Sequence, residues 1–93
     1  MYYVYILHSA ILESYYVGEA QSLDKRIEQH NAGFYKNSYT SKTKNWKLFL
    51  SFECKDRIQA RKIETHIKKM KSRKYIQDLL KYPDIIEELL EKY

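Results

Sequence analysis

Three groups of side chains in this 93-residue chain could do chemistry. The first is Glu64. Ala60, Ile63, Glu64 and Ile67 stand at i, i+3, i+4 and i+7, an inward-facing helical pattern. A carboxylate in or beside an apolar stripe is costly to ionise unless it is paired or binds a metal. The plain alternative is a boundary ion pair with Lys68, four residues on. The second group is Arg26 and His30, also four apart and so stacked on one helix face. Two such groups need a shared anion or a neutral imidazole; the plain alternative is a solvated face with Glu28 nearby. The third is tyrosine. Five of the ten tyrosines fall in the first sixteen residues, with Tyr5 and Tyr16 eleven apart. Tyrosine suits a strand, with a ring to pack and a hydroxyl to keep wet, so a catalytic role for Tyr5 and Tyr16 has to compete with simple packing.

The elements that must position these groups are legible from pattern. Tyr2–Leu7 and Tyr15–Ala20 are short apolar, aromatic runs that read as strands. The polar connection between them predicts an antiparallel hairpin, and pairing His8 with Glu13 sets Tyr5 opposite Tyr16. Ser22 as N-cap, Asp24 in the first turn and Gly33 past the end predict a helix near residues 23–32, with Leu23 and Ile27 facing inward. Residues 33–45 are polar, basic and aperiodic, a loop able to touch phosphates. A third strand is expected from Trp46 to Cys54, with Trp46, Leu48, Leu50 and Phe52 on one face and Lys47, Phe49 and Ser51 on the other. Asp56 caps a long helix whose apolar positions are Ala60, Ile63, Ile67 and Met70. A bend near Ser72 leads to a further helix, and Pro83 opens a short acidic amphipathic one. The expected order is β-β-α-β-α-α with that tail: an α+β fold, a small three-stranded antiparallel sheet flanked by helices. Residues 1–82 form one domain, and 83–93 pack on it or extend it.

Charge narrows the function classes. The chain carries 17 basic and 12 acidic residues, net +5, unevenly spread. Residues 34–74 hold thirteen basic and three acidic side chains, while 83–93 hold four acids and one lysine. A basic body favours a polyanionic partner, nucleic acid first. Lys42, Lys44, Lys68 and Lys71 are the candidate backbone contacts. No apolar run approaches a membrane span, no secretory leader is recognisable, and the single Cys54 has neither disulfide partner nor CxxC zinc partner. A cytoplasmic setting is expected, with Cys54 a packing residue.

Taken in order, the pieces resemble the GIY-YIG nuclease superfamily. They are Tyr3-Val4-Tyr5, Tyr16-Val17-Gly18, Leu23-x-x-Arg26, His30-Asn31-x-Gly33, the Thr40 region, Trp46-Lys47-Leu48 and Ala60-x-x-x-Glu64-x-x-Ile67-Lys68. The segment KKMKSRKYI is similar to the end of small standalone members, themselves similar to the N-terminal catalytic domain of the excinuclease ABC nuclease component. The resemblance covers roughly residues 1–80; a lone Y-x-G means nothing, but the ordered set is specific. It implies the same fold and a metal-dependent endonuclease that hydrolyses DNA phosphodiesters with one divalent ion, Mg2+ or Mn2+. Tyr5 and Tyr16 are implied as the tyrosines of the two name-giving motifs, Arg26 as the helix arginine, His30 at a position held by His or Tyr, and Glu64 as the metal ligand.

The implied chemistry is coherent. Magnesium accepts one carboxylate plus waters and phosphate oxygens, neutralises charge at a transferring phosphate and acidifies bound water. Arg26 would hold a non-bridging oxygen. A phenol of pKa about 10 is a poor base at neutral pH unless nearby cations favour its anion; His30 is the rival base. Three departures stand out: Glu19 follows Gly18 where some relatives have lysine, Ile76 and Gln77 occupy a neighbourhood where some have asparagine, and Met1-Tyr2-Tyr3 lacks a glycine. The implied substrate is branched, nicked or single-stranded DNA in repair or recombination, cut by structure rather than sequence, with or without a protein partner. The competing readings are a nucleic-acid-binding module with little cleavage, and an assembly domain that uses Ile85, Ile86, Leu89 and Leu90 of the tail.

Overall fold

The computed structural model describes residues 1–33 and 39–93. Three strands, β1 (Tyr2–Ser9), β2 (Ser14–Ala20) and β3 (Lys47–Cys54), form an antiparallel sheet in the order β2-β1-β3. The helices are α1 (Leu23–Asn31), α2 (Arg57–Met70), α3 (Arg73–Lys81) and α4 (Asp84–Lys92), with a single 3-10 turn at Tyr39–Lys42. The fold is α+β. The expected loop over 33–45 lies partly outside the described residues. No helix among the described residues is long and apolar enough to cross a membrane.

β1 is central, and Val4, Tyr5, Ile6 and Leu7 are all buried because both its faces are covered. Val4 and Ile6 join Val17, Cys54, Ala60, Ile63, Ile67, Leu79 and Leu89 in the larger core, under α2, α3 and α4. Tyr5 and Leu7 join Ala20 and Trp46 in a smaller one, against Leu23 and Ile27 of α1. The single cysteine is therefore a packing residue of the larger core. Met70 is the exception to the expected stripe of the long helix, 45% exposed at its last turn.

The hairpin register differs from the expected one by two residues. Tyr5 pairs with Gly18, Leu7 with Tyr16 and His8 with Tyr15. The cause is a four-residue connection, Ala10–Glu13, closed by Glu13 in the left-handed region at φ 50°. A slip of two preserves the face, so Tyr5 and Tyr16 still share one. The alternation expected of β3 also breaks. A bulge opposite Ile6 and Leu7 inserts Phe49 between the paired Leu48 and Leu50. Leu48 thereby pairs with Leu7 and shares its face, 44% exposed, while Leu50 and Phe52 pack on the larger core.

Local signals account for the helix ends. Asp56 accepts from the Gln59 amide at 2.8 Å and caps α2. Ser72 accepts from the Tyr75 amide at 3.1 Å and caps α3. Ser22 stands at the N-cap of α1 in extended conformation, but its hydroxyl makes no capping bond. Gly33 follows α1 at φ +75°, a conformation that favours glycine. Lys71 ends α2 at φ 46° and turns the chain into α3.

Candidate active site

The hairpin and α1 build the first half of the site. Tyr5 crosses Gly18 so closely that a Cβ there would lie 2.5 Å from its hydroxyl oxygen. Glycine at the end of Tyr16-Val17-Gly18 is thus a steric requirement of the neighbouring strand. The Tyr5 hydroxyl, 1% exposed as a residue, hydrogen-bonds His30 Nε2 at 2.9 Å. His30 Nδ1 meets Thr40 Oγ1 at 2.8 Å. Tyr16 packs beside them, its ring centroid 6.4 Å from Tyr5 and 5.0 Å from His30. Asn31 fixes the next segment: its side-chain carbonyl accepts from the Trp46 amide and its side-chain amide donates to the Trp46 carbonyl. The Trp46 indole N–H donates to the Thr40 carbonyl.

Electrostatics settle the state of His30. Burial, aided by the Arg26 guanidinium one turn earlier, lowers its pKa to about 4. The imidazole is neutral at pH 7, with one nitrogen donating and the other accepting along Tyr5–His30–Thr40. The Arg26–His30 stack is therefore relieved by a neutral imidazole. Arg26 also lines a shallow polar pocket of about 270 Å³ with Glu19 and Arg57.

The second half comes from α2. Arg57, Arg61, Glu64 and Lys68 recur at i, i+4, i+7 and i+11 and form one stripe. Both ends of this stripe reach β2. Arg57 and Arg61 face the Glu19 carboxylate at 3.8 and 3.9 Å, and the Lys68 ammonium lies 5.8 Å from the centre of the Tyr16 ring. Glu64 stands between them and accepts from Lys68 Nζ at 2.6 Å, its side chain 19% exposed. The ion pair anticipated as the plain alternative is present, and it hangs on the phenol of the second motif.

The structure thus gathers Tyr5, Tyr16 and His30 into one packed cluster, sets Arg26 one helical turn from His30, and connects Glu64 to Tyr16 through Lys68. Lys71 lies on the rim of a groove that Tyr16 and Lys68 also line. Lys42 and Lys44 are exposed, on the 3-10 turn and just after it. Sequence reasoning missed the second partner of His30, Thr40, the clamp from Asn31 to Trp46, and the two arginines on Glu19. The His30-Asn31 pair was the available signal, because a buried imidazole needs partners at both nitrogens. A separate cavity of about 440 Å³ is lined by Arg61, Lys62, Thr65, His66, Lys69 and Tyr93 and touches neither Tyr5 nor Glu64.

Among the described residues no three His, Cys, Asp or Glu side chains cluster to hold a metal ion. The donor chemistry near Tyr16 is one carboxylate, Glu64, with a second, Glu19, engaged by arginines. That set does not suit a closed zinc site. It does fit a mostly hydrated hard cation that takes one carboxylate and completes its shell with water and phosphate oxygens.

Comparison with curated proteins gives no match, and comparison with solved structures gives none. A family model, the GIY-YIG catalytic domain, matches residues 1–76. That span contains both tyrosine strands, α1, β3, all of α2 and the start of α3. With the hairpin phenols, the helix arginine and the α2 carboxylate disposed about β2, the chain belongs to the GIY-YIG catalytic domain family, a nuclease-type family.

Proposed function

We propose that the protein is a metal-dependent DNA endonuclease that hydrolyses phosphodiesters in branched, nicked or single-stranded DNA, in a repair or recombination setting. The observation that carries the reading is the contact chain Glu64–Lys68–Tyr16, which ties the single carboxylate of α2 to the hairpin phenols. Nucleases of this family generally depend on a divalent metal. Glu64 would hold Mg2+ or Mn2+, which when bound supplies charge neutralisation and an acidified water. Lys68 then exchanges its carboxylate partner for a phosphate oxygen, and Arg26 holds a second oxygen. Tyr16, half-buried, is the phenol open enough to meet the attacking water. Tyr5 stands behind it, positioned by His30; as the phenolate that the bound cation and Arg26 would favour, it would accept the water's proton. Because a pKa of about 4 makes His30 a weak base, its role is to fix Tyr5 rather than to keep the proton. Kinship with the small standalone members and with the excinuclease domain belongs to the same proposal.

The test is incubation of the purified protein with labelled branched and single-stranded DNA, in magnesium or in EDTA. Cleavage is expected in magnesium alone. Glu64→Gln and Arg26→Ala are each expected to lower the rate by about 10²–10³, with an unchanged thermal transition because both side chains lie outside the cores. The alternative, a binding module without cleavage, is favoured by the closed Glu64–Lys68 pair. It predicts DNA affinity indifferent to EDTA and no products under any metal.

A further inference from the structure

The edge strand β2 carries a groove that extends beyond the residues used in the catalytic reading. It measures about 330 Å³ and runs between β2 and the α2–α3 bend. Tyr15, Tyr16 and Ile76 give it aromatic and apolar walls; Lys68, Lys71 and Arg73 stand on its rim, and no acidic side chain among the described residues lines it. Lys71 and Arg73 form no ion pair among the described residues. Tyr16 and Lys68 belong to the candidate active site as well, so groove and site are continuous.

Resting on the nuclease reading, we propose that this groove holds one unstacked nucleotide of a single DNA strand next to the reacting phosphate. Two cations without an ion pair, Lys71 and Arg73, and the Glu64-paired Lys68, at the rim of an apolar slot, match a ligand with charge on its backbone and a flat apolar face, which is a nucleotide. The volume is at the small end of ordinary ligand sites, about 300–1,000 Å³, enough for one base and sugar. A paired base cannot enter, because its faces are covered by its neighbours in the duplex. The groove therefore selects substrates with an unpaired nucleotide beside the cut, and its affinity comes from base–aromatic contact together with phosphate pairing.

The experiment is fluorescence-anisotropy binding in EDTA, where no cleavage occurs. The probes are a single-stranded oligonucleotide, the same oligonucleotide with its central bases replaced by abasic sugars, and the matching duplex. Wild type is expected to bind the base-bearing strand at least about five-fold tighter than the abasic one. Ile76→Ala should shrink that ratio, while Lys71→Ala and Arg73→Ala should weaken the single strand more than the duplex. Equal binding of abasic and base-bearing strands by wild type, which needs no variant to fold, overturns the proposal. So does an equal loss on single strand and duplex in the two cation variants. Cleavage in magnesium is scored separately: base preference without cleavage sinks the nuclease reading and leaves the groove, and cleavage without base preference does the reverse.

Discussion

A methyl group added at Gly18 would collide with the Tyr5 hydroxyl at 2.5 Å and its Cζ at 2.6 Å. Tyr5 cannot step aside cheaply, since it is wedged between the strand and α1 and bonded to His30. Gly18→Ala is therefore expected to destabilise by about 1–3 kcal/mol, read as a lower urea midpoint at constant m-value, and to abolish the Tyr5–His30 bond on which the proposed activity depends. His30 makes a separable prediction about pH. Its ordinary pKa of 6.5 falls to about 4 in the fold, so between these values the unfolded chain binds more protons and stability must fall as pH falls. The contribution is complete above pH 6.5, is lost progressively towards pH 4 and is flat below. The fall from 6.5 to about 4 corresponds to about 3 kcal/mol. His30→Gln removes the titration, so the wild-type-minus-variant stability measured by urea unfolding should decline through that window. A flat difference would mean the imidazole is already charged in the fold. The same residue explains a limit of the sequence: spacing put Arg26 beside His30, but the choice between a shared anion and a neutral imidazole depended on burial that only the sheet and Thr40 supply.

Among the elements, α4 is outside the matched residues 1–76 yet inside the core. Leu89 is 5% exposed and packs with Ala60, Ile63 and Leu79, and the buried Gln59 side chain donates to the Leu90 carbonyl at 2.8 Å. Burial of one such leucine is worth about 1.5–3 kcal/mol, and Ile85, Ile86 and Tyr93 add partly buried area. Removal of residues 83–93 is expected to lower Tm by more than about 10 °C, measured by circular dichroism. A truncated chain with an unchanged Tm would return the helix to the role of a docking segment for another protein. The elements themselves were legible because their causes are local: short apolar, aromatic runs for β1 and β2, the Asp56 cap and 3.6-residue stripe for α2, Pro83 before α4. Register was not. It turns on Glu13 taking a left-handed conformation that no glycine or asparagine advertises, and on a bulge in β3 set by packing on two faces. The site survived the first error because a two-residue slip keeps side chains on their face.

At the scale of the molecule, the charge that pointed to nucleic acid meets an internal rival. Glu19 faces Arg57 and Arg61 at 3.8 and 3.9 Å and shares a pocket with Arg26. These are loose pairs, too long for hydrogen bonds, and both arginines are more than half exposed. Their worth to the fold is small. On the proposed reading their effect on an incoming phosphate is larger, since Glu19 is an anion beside the guanidinium groups that would neutralise phosphate charge. On the proposed nuclease reading, bound DNA would compete with it for the same guanidinium groups. Glu19→Gln keeps the size and raises net charge from +5 to +6. The variant should bind DNA more tightly with a salt dependence steeper by about one, because one further phosphate contact releases one further counterion. Arg57→Ala should do the opposite, and Tm should move little in either. Binding isotherms across a salt series decide the matter. Parallel slopes for Glu19→Gln and wild type would place Arg57 and Arg61 off the DNA path, and Glu19 would then be a surface charge with no bearing on the substrate.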